Sequence, residues 1–225
     1  MNGTGPTQMS IESKTILNAV KEAKEKAGKR NFTQSVELIL TLQDIDMKSP
    51  EGRLQENVEL PHPPQEKTNK ICVIATGELA LRAKRANADL VIDRAELEAL
   101  GGKKKELRKI ANEYDFFIAE APLMPLVGKI LGAVLGPRGK MPIPVPPTAD
   151  IESLLNKHRK TVVIRMRNQP VIQCRVGTEN MKEEELAENI QAILKAVEGK
   201  MKRGIKNIKT IHIKTTMGAP VKIKL

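Results

Sequence analysis

The chain has 225 residues, 40% of them hydrophobic and 29% charged, a globular composition that is long enough for one large domain or two small ones. Its net charge of +11 indicates a polyanionic partner, with nucleic acid and an anionic membrane as the candidates and a well-solvated surface as the simpler alternative. No apolar run approaches the ~20 residues that span a bilayer, and the N-terminus lacks a signal-peptide pattern, so membrane is the weaker candidate and we expect a cytoplasmic protein.

The first third of the chain predicts a helix, two strands and a linker. In SIESKTILNAVKEAKEKAGK the apolar residues recur at helical spacing, with Ser10 or Ser13 as the N-cap and Gly28 at the end. NFTQSVELILTL alternates apolar and polar residues from Val36 to Leu42, which predicts a strand with one buried face. RLQENVEL predicts a second strand, and the proline-rich PHPPQEK predicts a linker.

The middle third has a different pattern. Three short apolar runs, KICVIA, DLVID and YDFFIAE, alternate with segments of helical character such as GELALRAKRA and KKKELRKIANE. Buried strands that alternate with helices indicate a parallel sheet that is covered on both faces. Residues 67–156 are therefore predicted to form a small α/β domain.

The last third returns to half-buried strands. TVVIRMRNQPVIQCRVG alternates on both sides of Gln169-Pro170, which predicts a hairpin with one apolar face and one basic, polar face. Asn180 and Glu183 are spaced as the N-cap and third residue of the helix that follows. IKTIHIKTTMGAPVKIKL alternates again and predicts a final strand.

Both ends of the chain combine half-buried strands with amphipathic helices, whereas the middle alternates buried strands with helices. The sequence therefore predicts two domains. Residues 1–66 and 157–225 form a discontinuous α+β domain, and the α/β domain of residues 67–156 is inserted into it. The chain crosses between the domains near 61–67 and 148–160. Residues 157–225 carry 16 Lys and Arg against 6 Asp and Glu, a net charge of +10, so a polyanion should contact mainly this part or what folds beside it.

The stretch GKILGAVLGPRGKMPIPV has the composition of a loop that cradles phosphates. It is not a Walker loop, because Val134 stands where the first glycine is required and Met141 where Ser or Thr is required. A Gly-x-Gly-x-x-Gly fingerprint is also absent. Three glycines spaced by four residues would instead permit close helix packing: Gly128, Gly132 and Gly136. GPRGK is then an exposed turn that offers Arg138 and Lys140, either as a clamp on a nucleic-acid backbone or as a solvated loop.

No constellation of catalytic or metal-binding residues is visible. His62, His158 and His212 form no His-x-x-x-His pair, and each is better explained as a surface histidine. Cys72 and Cys174 are far apart and belong to no Cys-x-x-Cys pair, so in a reducing compartment both are small core residues. We therefore predict no catalytic residue, no metal, no cofactor and no enzymatic activity.

Aromatic residues are few: Phe32, Tyr114, Phe116 and Phe117. Proteins that bind single-stranded nucleic acid usually stack bases on several exposed aromatic rings. YDFF has the pattern of a core strand, which leaves only Phe32, and the sequence favours exposure and burial of this ring about equally. An RNA partner should therefore be folded RNA, recognised through phosphates, 2′-hydroxyls and shape.

GKILGAVLGPRGKMPIPV together with the C-terminal TTMGAPVKI closely resembles the L-one family of ribosomal proteins, which bind RNA in the mobile stalk of the large subunit. The NFTQSVEL strand and the LAENIQAILKAVE helix fit the same family, so the resemblance covers essentially the whole chain. The short C-terminus, the prolines of residues 142–147 and the high lysine content resemble its archaeal branch. The resemblance implies a Rossmann-like, three-layer α/β domain inserted into a discontinuous RNA-binding domain, in agreement with the predicted architecture.

The resemblance also implies a function. The family binds the stalk region of large-subunit rRNA near the tRNA exit site, is associated with release of deacylated tRNA, and in many members represses translation of its own mRNA. The implied partners are large-subunit rRNA, the chain's own mRNA and, indirectly or transiently, exit-site tRNA. The free chain is expected to be a monomer. The alternative, a nucleotide-dependent enzyme on the Rossmann-like domain, requires a phosphate loop and a catalytic group, and neither is visible.

The family's RNA-contacting positions lie on the first domain and carry over onto these residues: Asn31, Phe32, Ser35, Arg165, Arg167, Gln173, Arg175, Thr215, Thr216, Met217 and Gly218. Where bacterial relatives often have Lys and Thr, this chain has Asn31, which lacks the charge for a phosphate contact, and Ser35, which keeps a hydroxyl. Arg138 and Lys140 of the inserted domain are expected as secondary contacts. By itself TTMG predicts a strand end and a turn in which Gly218 supplies backbone freedom, whereas the resemblance favours RNA binding there.

Overall fold

The computed structural model describes residues 13–49, 52 and 54–223, and these fold as two compact units. The first unit comprises the described residues up to Lys67 together with those from Thr161 onward, and the second comprises Thr68–Lys160. Each unit has its own hydrophobic core. The predicted combination of α/β and α+β architecture is confirmed.

In chain order, the first unit begins with α1 (Ser13–Glu25), β1 (Ser35–Leu42) and β2 (Gln55–Glu59). The second unit contains β3 (Ile71–Ile74), α2 (Gly77–Arg85), β4 (Leu90–Ile92), α3 (Arg94–Ala99), α4 (Lys104–Glu113), β5 (Phe116–Glu120), α5 (Met124–Ile130), α6 (Gly132–Leu135), β6 (Ile143–Val145) and α7 (Ile151–Arg159). The chain then completes the first unit with β7 (Thr161–Arg165), β8 (Val171–Thr178), α8 (Glu183–Lys200), β9 (Ile208–Thr215) and β10 (Val221–Ile223).

A four-stranded antiparallel sheet with the order β10-β9-β1-β8 forms the centre of the first unit, and β2 pairs with β7 in a separate two-stranded sheet. Every second residue of β1, from Val36 to Leu42, is buried, as the alternation predicts. Helices α1 and α8 pack against this buried side and share its core. The opposite side of the sheet, which we call the polar face, carries the half-buried polar residues of the alternation.

Helix α1 ends at the predicted place. Its buried residues follow the predicted helical spacing: Ile16, Ala19, Val20 and Ala23. Gly28, just beyond the helix, has φ of +65°, a left-handed conformation that favours glycine. Ser13, the first described residue, is already helical, and the other N-cap candidate, Ser10, lies outside the described residues.

The predicted hairpin over residues 161–176 is wrong. Both strands form, but each pairs with a partner that is distant in the sequence. β7 pairs with β2, and the pairing continues where the Met166 amide donates to the Leu54 carbonyl at 2.9 Å. β8 pairs with β1 instead, with Val171 opposite Thr41. The alternation within a strand specifies its buried side, whereas the identity of its partner depends on segments elsewhere in the chain.

Helix α8 begins two residues later than its predicted cap implies. The first helical residue is Glu183, and the Lys182 amide donates to the Glu185 carboxylate at 3.2 Å. Asn180, the predicted N-cap, donates instead to both carboxylate oxygens of Glu66, at 2.9 and 3.1 Å. A glutamate thus caps the helix as in a capping box, but the pair is Lys182 and Glu185 and not the predicted Asn180 and Glu183.

The proline-rich linker is fixed to α8 by a buried side chain. Asn189 is fully buried, and its Oδ1 accepts from the His62 amide at 2.9 Å. Its Nδ2 donates to the carbonyls of His62 and Val176 at 2.6 and 2.8 Å. Because one amide satisfies three backbone groups, this linker is an ordered part of the first unit.

The second unit is the predicted parallel sheet, with the order β4-β3-β5-β6. Strands β3 and β5 are buried along their whole length, as expected for a sheet with cover on both faces. The predicted close packing is wrong at Gly128 and Gly132, where a Cβ would meet no atom within 4 Å, whereas a Cβ on Gly136 would lie 2.8 Å from the Gly132 carbonyl oxygen.

The predicted chain crossing at 148–160 contains α7, which belongs to the second unit. His158 in this helix is only 6% exposed, and its ring centroid lies 5.1 Å from that of Phe116, so its predicted position at the surface is wrong. Burial, assisted by the charge of Lys157, lowers the pKa of His158 below its ordinary value. The imidazole is therefore a neutral packing group at neutral pH.

Candidate nucleic-acid interface

The polar face of the four-stranded sheet places residues from three strands in rows. Glu37 of β1 lies between Arg175 of β8 and Lys214 of β9. In the next row, Gln173 and His212 flank the same strand. Directly opposite residues have Cβ atoms about 4.5–5.5 Å apart, so these side chains interact across the strands. Two cations around one acid leave a net positive row, which suits contact with phosphate.

The basic residues of the predicted hairpin are divided between two sheets. Gln173 and Arg175 lie on β8, whereas Arg165 ends β7 in the two-stranded sheet. Arg167 follows β7 and is exposed, while Arg165 and Arg175 are half-buried. Of the three arginines, Arg167 is thus the most accessible to a partner.

An exposed segment, residues 28–32, follows α1. Lys29, Arg30 and Asn31 are exposed, and the side chain of Phe32 is 50% exposed. The alternative in which Phe32 belongs to the core is therefore wrong. An aromatic ring at the surface can stack on a base, and its two basic neighbours supply the charge that Asn31 lacks.

Gln34 joins this exposed segment to the turn after β9. It is fully buried, its Oε1 accepts from the Met217 amide at 3.0 Å, and its Nε2 donates to the carbonyls of Ala27 and Gly28, both at 3.2 Å. Its backbone amide donates to a Glu179 carboxylate oxygen at 2.7 Å, and Nε2 also reaches that carboxylate at 3.2 Å. One side chain therefore holds three segments together, a role that sequence analysis missed because Gln34 gives no local signal.

Ser35 and Thr216 tie the ends of β1 and β9 together. The Thr216 amide donates to the Ser35 carbonyl at 3.0 Å, and the Ser35 amide donates to the Thr216 hydroxyl at 3.0 Å. Lys67 Nζ donates to the Thr33 carbonyl at 2.6 Å and to the Ser35 hydroxyl at 3.3 Å. Sequence analysis missed this lysine, which is the last residue of the proline-rich linker PHPPQEK and reaches the site only in the folded chain.

The turn after β9 differs from its prediction at two residues. Thr215 is fully buried, and its Oγ1 has no hydrogen-bond partner among the described residues, so the structure does not support Thr215 as an RNA contact. Gly218 has no left-handed φ, so the predicted need for backbone freedom is wrong. A Cβ at Gly218 would overlap Thr215 Oγ1 and lie 3.3 Å from Ala27 Cα. Glycine is required here because there is no space for a side chain.

Lys140 of the second unit has a structural role. Its Nζ donates to the carbonyls of Ala111 and Tyr114, at 3.1 and 2.6 Å, at the C-terminal end of α4, where the helix dipole favours a cation. Burial lowers the pKa of Lys140 below its ordinary value, although Asp115 opposes this shift. Because its ammonium is committed to these carbonyls, the structure does not support Lys140 as a secondary RNA contact.

Arg138 lies at the surface of the same unit with its guanidinium oriented by neighbouring groups. Its Nη1 donates to the Val134 carbonyl at 3.0 Å, and its Nη2 donates to Asn112 Oδ1 at 3.1 Å. The GPRGK turn is therefore an ordered cap against α4 rather than a freely solvated loop.

We searched the described residues for a metal site, a membrane-spanning helix and a reactive cysteine. Over residues 13–49, 52 and 54–223, no group of three or more His, Cys, Asp and Glu could hold a metal ion. No helix within these ranges is both long and apolar enough to cross a membrane. Burial raises the pKa of Cys72 and Cys174 to about 12, so both are thiols at neutral pH.

The chain is similar to known proteins over nearly its whole length. A family model described as the ribosomal protein L1p/L10e family matches residues 20–219. Proteins named large ribosomal subunit protein uL1 from Methanothermobacter thermautotrophicus and Pyrococcus abyssi are 52% and 51% identical, over 92% and 97% of this chain and 98% and 99% of their own lengths. A protein of the same name from Thermofilum pendens is 48% identical over 96% of both chains. These matches to archaeal proteins confirm the resemblance found in the sequence.

Proposed function

The chain belongs to the ribosomal protein L1p/L10e family, and on that premise we propose that its first unit binds the stalk region of the large-subunit rRNA. It is a structural protein of the large ribosomal subunit and not an enzyme. The proposed RNA surface consists of the polar face of the sheet, the exposed segment 28–32 and the turn after β9.

The observation that carries this proposal is the set of hydrogen bonds made by Gln34. They tie Gly28, at the start of the exposed segment that carries Phe32, to a turn that presents the half-buried Thr216 and the 58% exposed Met217. Stacking, hydroxyl and apolar groups are thus preorganised at one end of a net positive sheet face. A surface of this kind suits folded RNA, which is recognised through its backbone, its 2′-hydroxyls and a few unstacked bases.

We also propose that the protein acts on cytoplasmic ribosomes in release of deacylated tRNA from the exit site, and that it represses its own mRNA. Both proposals rest on the family resemblance. Crosslinking of the chain to total cellular RNA, followed by sequencing of the bound fragments, should recover the rRNA stalk and a segment of the chain's own mRNA. Recovery of the rRNA alone would contradict the repressor proposal.

A chain that joins residues 1–67 to 161–225 by a short Gly-Ser linker should fold and bind the rRNA stalk fragment within about thirtyfold of the full chain, a difference of about 2 kcal/mol. The reason is that the core of the first unit and all its proposed contacts lie in these segments. Lys67 is retained because it bonds to Ser35, and α7 is omitted because it belongs to the second unit.

The measurements for this joined chain are a filter-binding titration and a thermal melt. A cooperative melt combined with binding more than about a hundredfold weaker, about 2.7 kcal/mol, would show that the second unit is essential for recognition. That result would overturn the assignment of the RNA site to the first unit. A joined chain that does not melt cooperatively would instead contradict the prediction that the two units are separate domains.

Arg167→Ala should weaken binding of the rRNA fragment and reduce the slope of log affinity against log salt by roughly 0.7–0.9, the contribution of one phosphate contact. The side chain is exposed at the end of β7, so its removal should leave the melting temperature unchanged. Titrations at several salt concentrations measure the slope, and Arg167→Lys, which keeps the charge, is the matched control. If the slope of Arg167→Ala equals that of the parent, Arg167 is an ordinary solvated charge.

A further inference from the structure

The second unit carries a basic surface that the proposed function does not use. Helix α4 exposes four cations: Lys104, Lys105, Arg108 and Lys109. Residues three and four apart on a helix are neighbours, so these side chains form one continuous surface, which we call the α4 basic face. The buried residues of the helix, Leu107 and Ala111, lie on its other side.

The acidic residues of α4 do not neutralise this face. Glu106 forms an ion pair with Lys103 at 3.7 Å, and Glu113 forms one with Lys70 at 3.4 Å. None of the four cations of the face forms an ion pair with another residue of the part that the structure describes. The face therefore concentrates positive charge, and the two acids lie only at its edge, beside Lys109.

The placement of the lysines opposes helix stability. Lys103 is the N-cap residue of α4, Lys104 and Lys105 are its first helical residues, and no side chain caps this end. The positive end of the helix dipole disfavours cations, and adjacent like charges repel one another. Where a sequence breaks a local stability rule in this way, the residues are more simply explained by an interaction than by folding.

The glycine-rich turn extends the same face. Asn112, one turn beyond Arg108 on α4, accepts from Arg138 Nη2 at 3.1 Å. From Lys104 to Asn112 the helix rises about 12 Å, so the guanidinium of Arg138 continues a row of positive charge along the helix.

We propose that the α4 basic face and Arg138 bind the sugar–phosphate backbone of double-helical RNA, as an RNA-binding surface in addition to that of the first unit. Tyr114, Phe116 and Phe117 are all buried, so this unit has no exposed ring on which to stack unpaired bases. Charge and shape are what remain for recognition, and these are the features by which proteins recognise duplex RNA. A helix that inserts into a membrane surface would require exposed apolar residues, and protein interfaces are depleted of lysine.

The test compares two triple variants of the full chain in filter-binding titrations with a short RNA duplex of arbitrary sequence. Lys104→Gln/Lys105→Gln/Arg108→Gln removes three charges from the face, and Lys84→Gln/Arg85→Gln/Lys129→Gln removes three exposed charges from elsewhere in the same unit. We expect the first variant to bind about tenfold or more weakly, with a salt slope reduced by about 2. The RNA affinity of the control variant should stay within about twofold of that of the parent, a much smaller change than the tenfold loss expected for the first variant.

Thermal melts separate binding from stability. Because the lysines oppose the helix dipole, the first variant should melt at the same temperature as the parent or higher. A lower melting temperature would assign the face a structural role and overturn the proposal, as would equal losses of binding in both variants or none in either. Polyglutamate that competes as well as the RNA duplex would assign the face to an acidic polypeptide and also overturn it. The proposal is independent of the first unit, whose site the joined chain tests separately.

Discussion

Replacing Gly218 with alanine should lower both the melting temperature and the RNA affinity of the chain. The new Cβ would overlap Thr215 Oγ1 and press on Ala27, so the turn must move. Such a shift breaks the bond from the Met217 amide to Gln34 that holds the turn in place. Overpacking of a buried site costs about 1–3 kcal/mol, on the order of 5 °C in melting temperature. We expect RNA affinity to fall about tenfold or more, since about 1.4 kcal/mol corresponds to tenfold.

A second substitution tests whether the overlap is the cause. Thr215→Ala removes the Oγ1 that the new Cβ would meet, and this atom has no hydrogen-bond partner to lose among the described residues. The double variant Thr215→Ala/Gly218→Ala should therefore regain part of the lost stability and affinity. Thr215→Val/Gly218→Ala keeps a methyl group in the same place and should not. Equal behaviour of the two double variants, in thermal melts and filter binding, would refute the steric explanation.

Thr216→Val should also reduce both stability and RNA affinity. The hydroxyl of Thr216 accepts from the Ser35 amide at 3.0 Å, so valine leaves that half-buried amide without its partner. An unsatisfied group of this kind costs about 1–3 kcal/mol, and the loss of a hydroxyl from the RNA surface costs about the same in binding. We expect RNA affinity to fall about 5- to 150-fold, with an unchanged salt slope because no charge is removed.

Thr216→Ser is the matched control, because it keeps the hydroxyl and deletes only a methyl group. It should retain the melting temperature and RNA affinity of the parent in the same thermal melts and filter-binding titrations. If Thr216→Val lowers the melting temperature but binds RNA like the parent, Thr216 ties β1 to β9 and makes no contact with RNA. The exposed Phe32 and the basic residues of the sheet would then account for recognition.

The sequence predicted most elements of the fold because their patterns are local. The alternation of β1, the buried runs of the parallel sheet and the left-handed glycine after α1 all depend on residues within a few positions of one another. The prediction failed for strand pairing between segments that are distant in the sequence. Strands β7 and β8 pair with β2 and β1, and no pattern within residues 161–176 distinguishes this from a hairpin.

The candidate site was predicted in part. Exposure of Phe32 was left open, because a lone aromatic residue before a strand fits either the surface or the core. Lys67 and Gln34 were missed, since neither residue type is unusual at its place in the sequence. Thr215 and Lys140 were assigned to RNA, but the structure buries the first and commits the second to the end of α4.

The sequence by itself determined the net charge, the buried side of each alternating strand and the family, because these depend on composition, local spacing and distinctive runs such as GPRGKMP. Only the tertiary structure decided which side chains meet. Gln34 accepts from the Met217 amide across 183 positions, and the Ser35 amide donates to Thr216 across 181. A hydrogen bond or a steric overlap requires atoms within a few ångströms, and for residues so far apart in the sequence only the packing of the whole unit sets that distance.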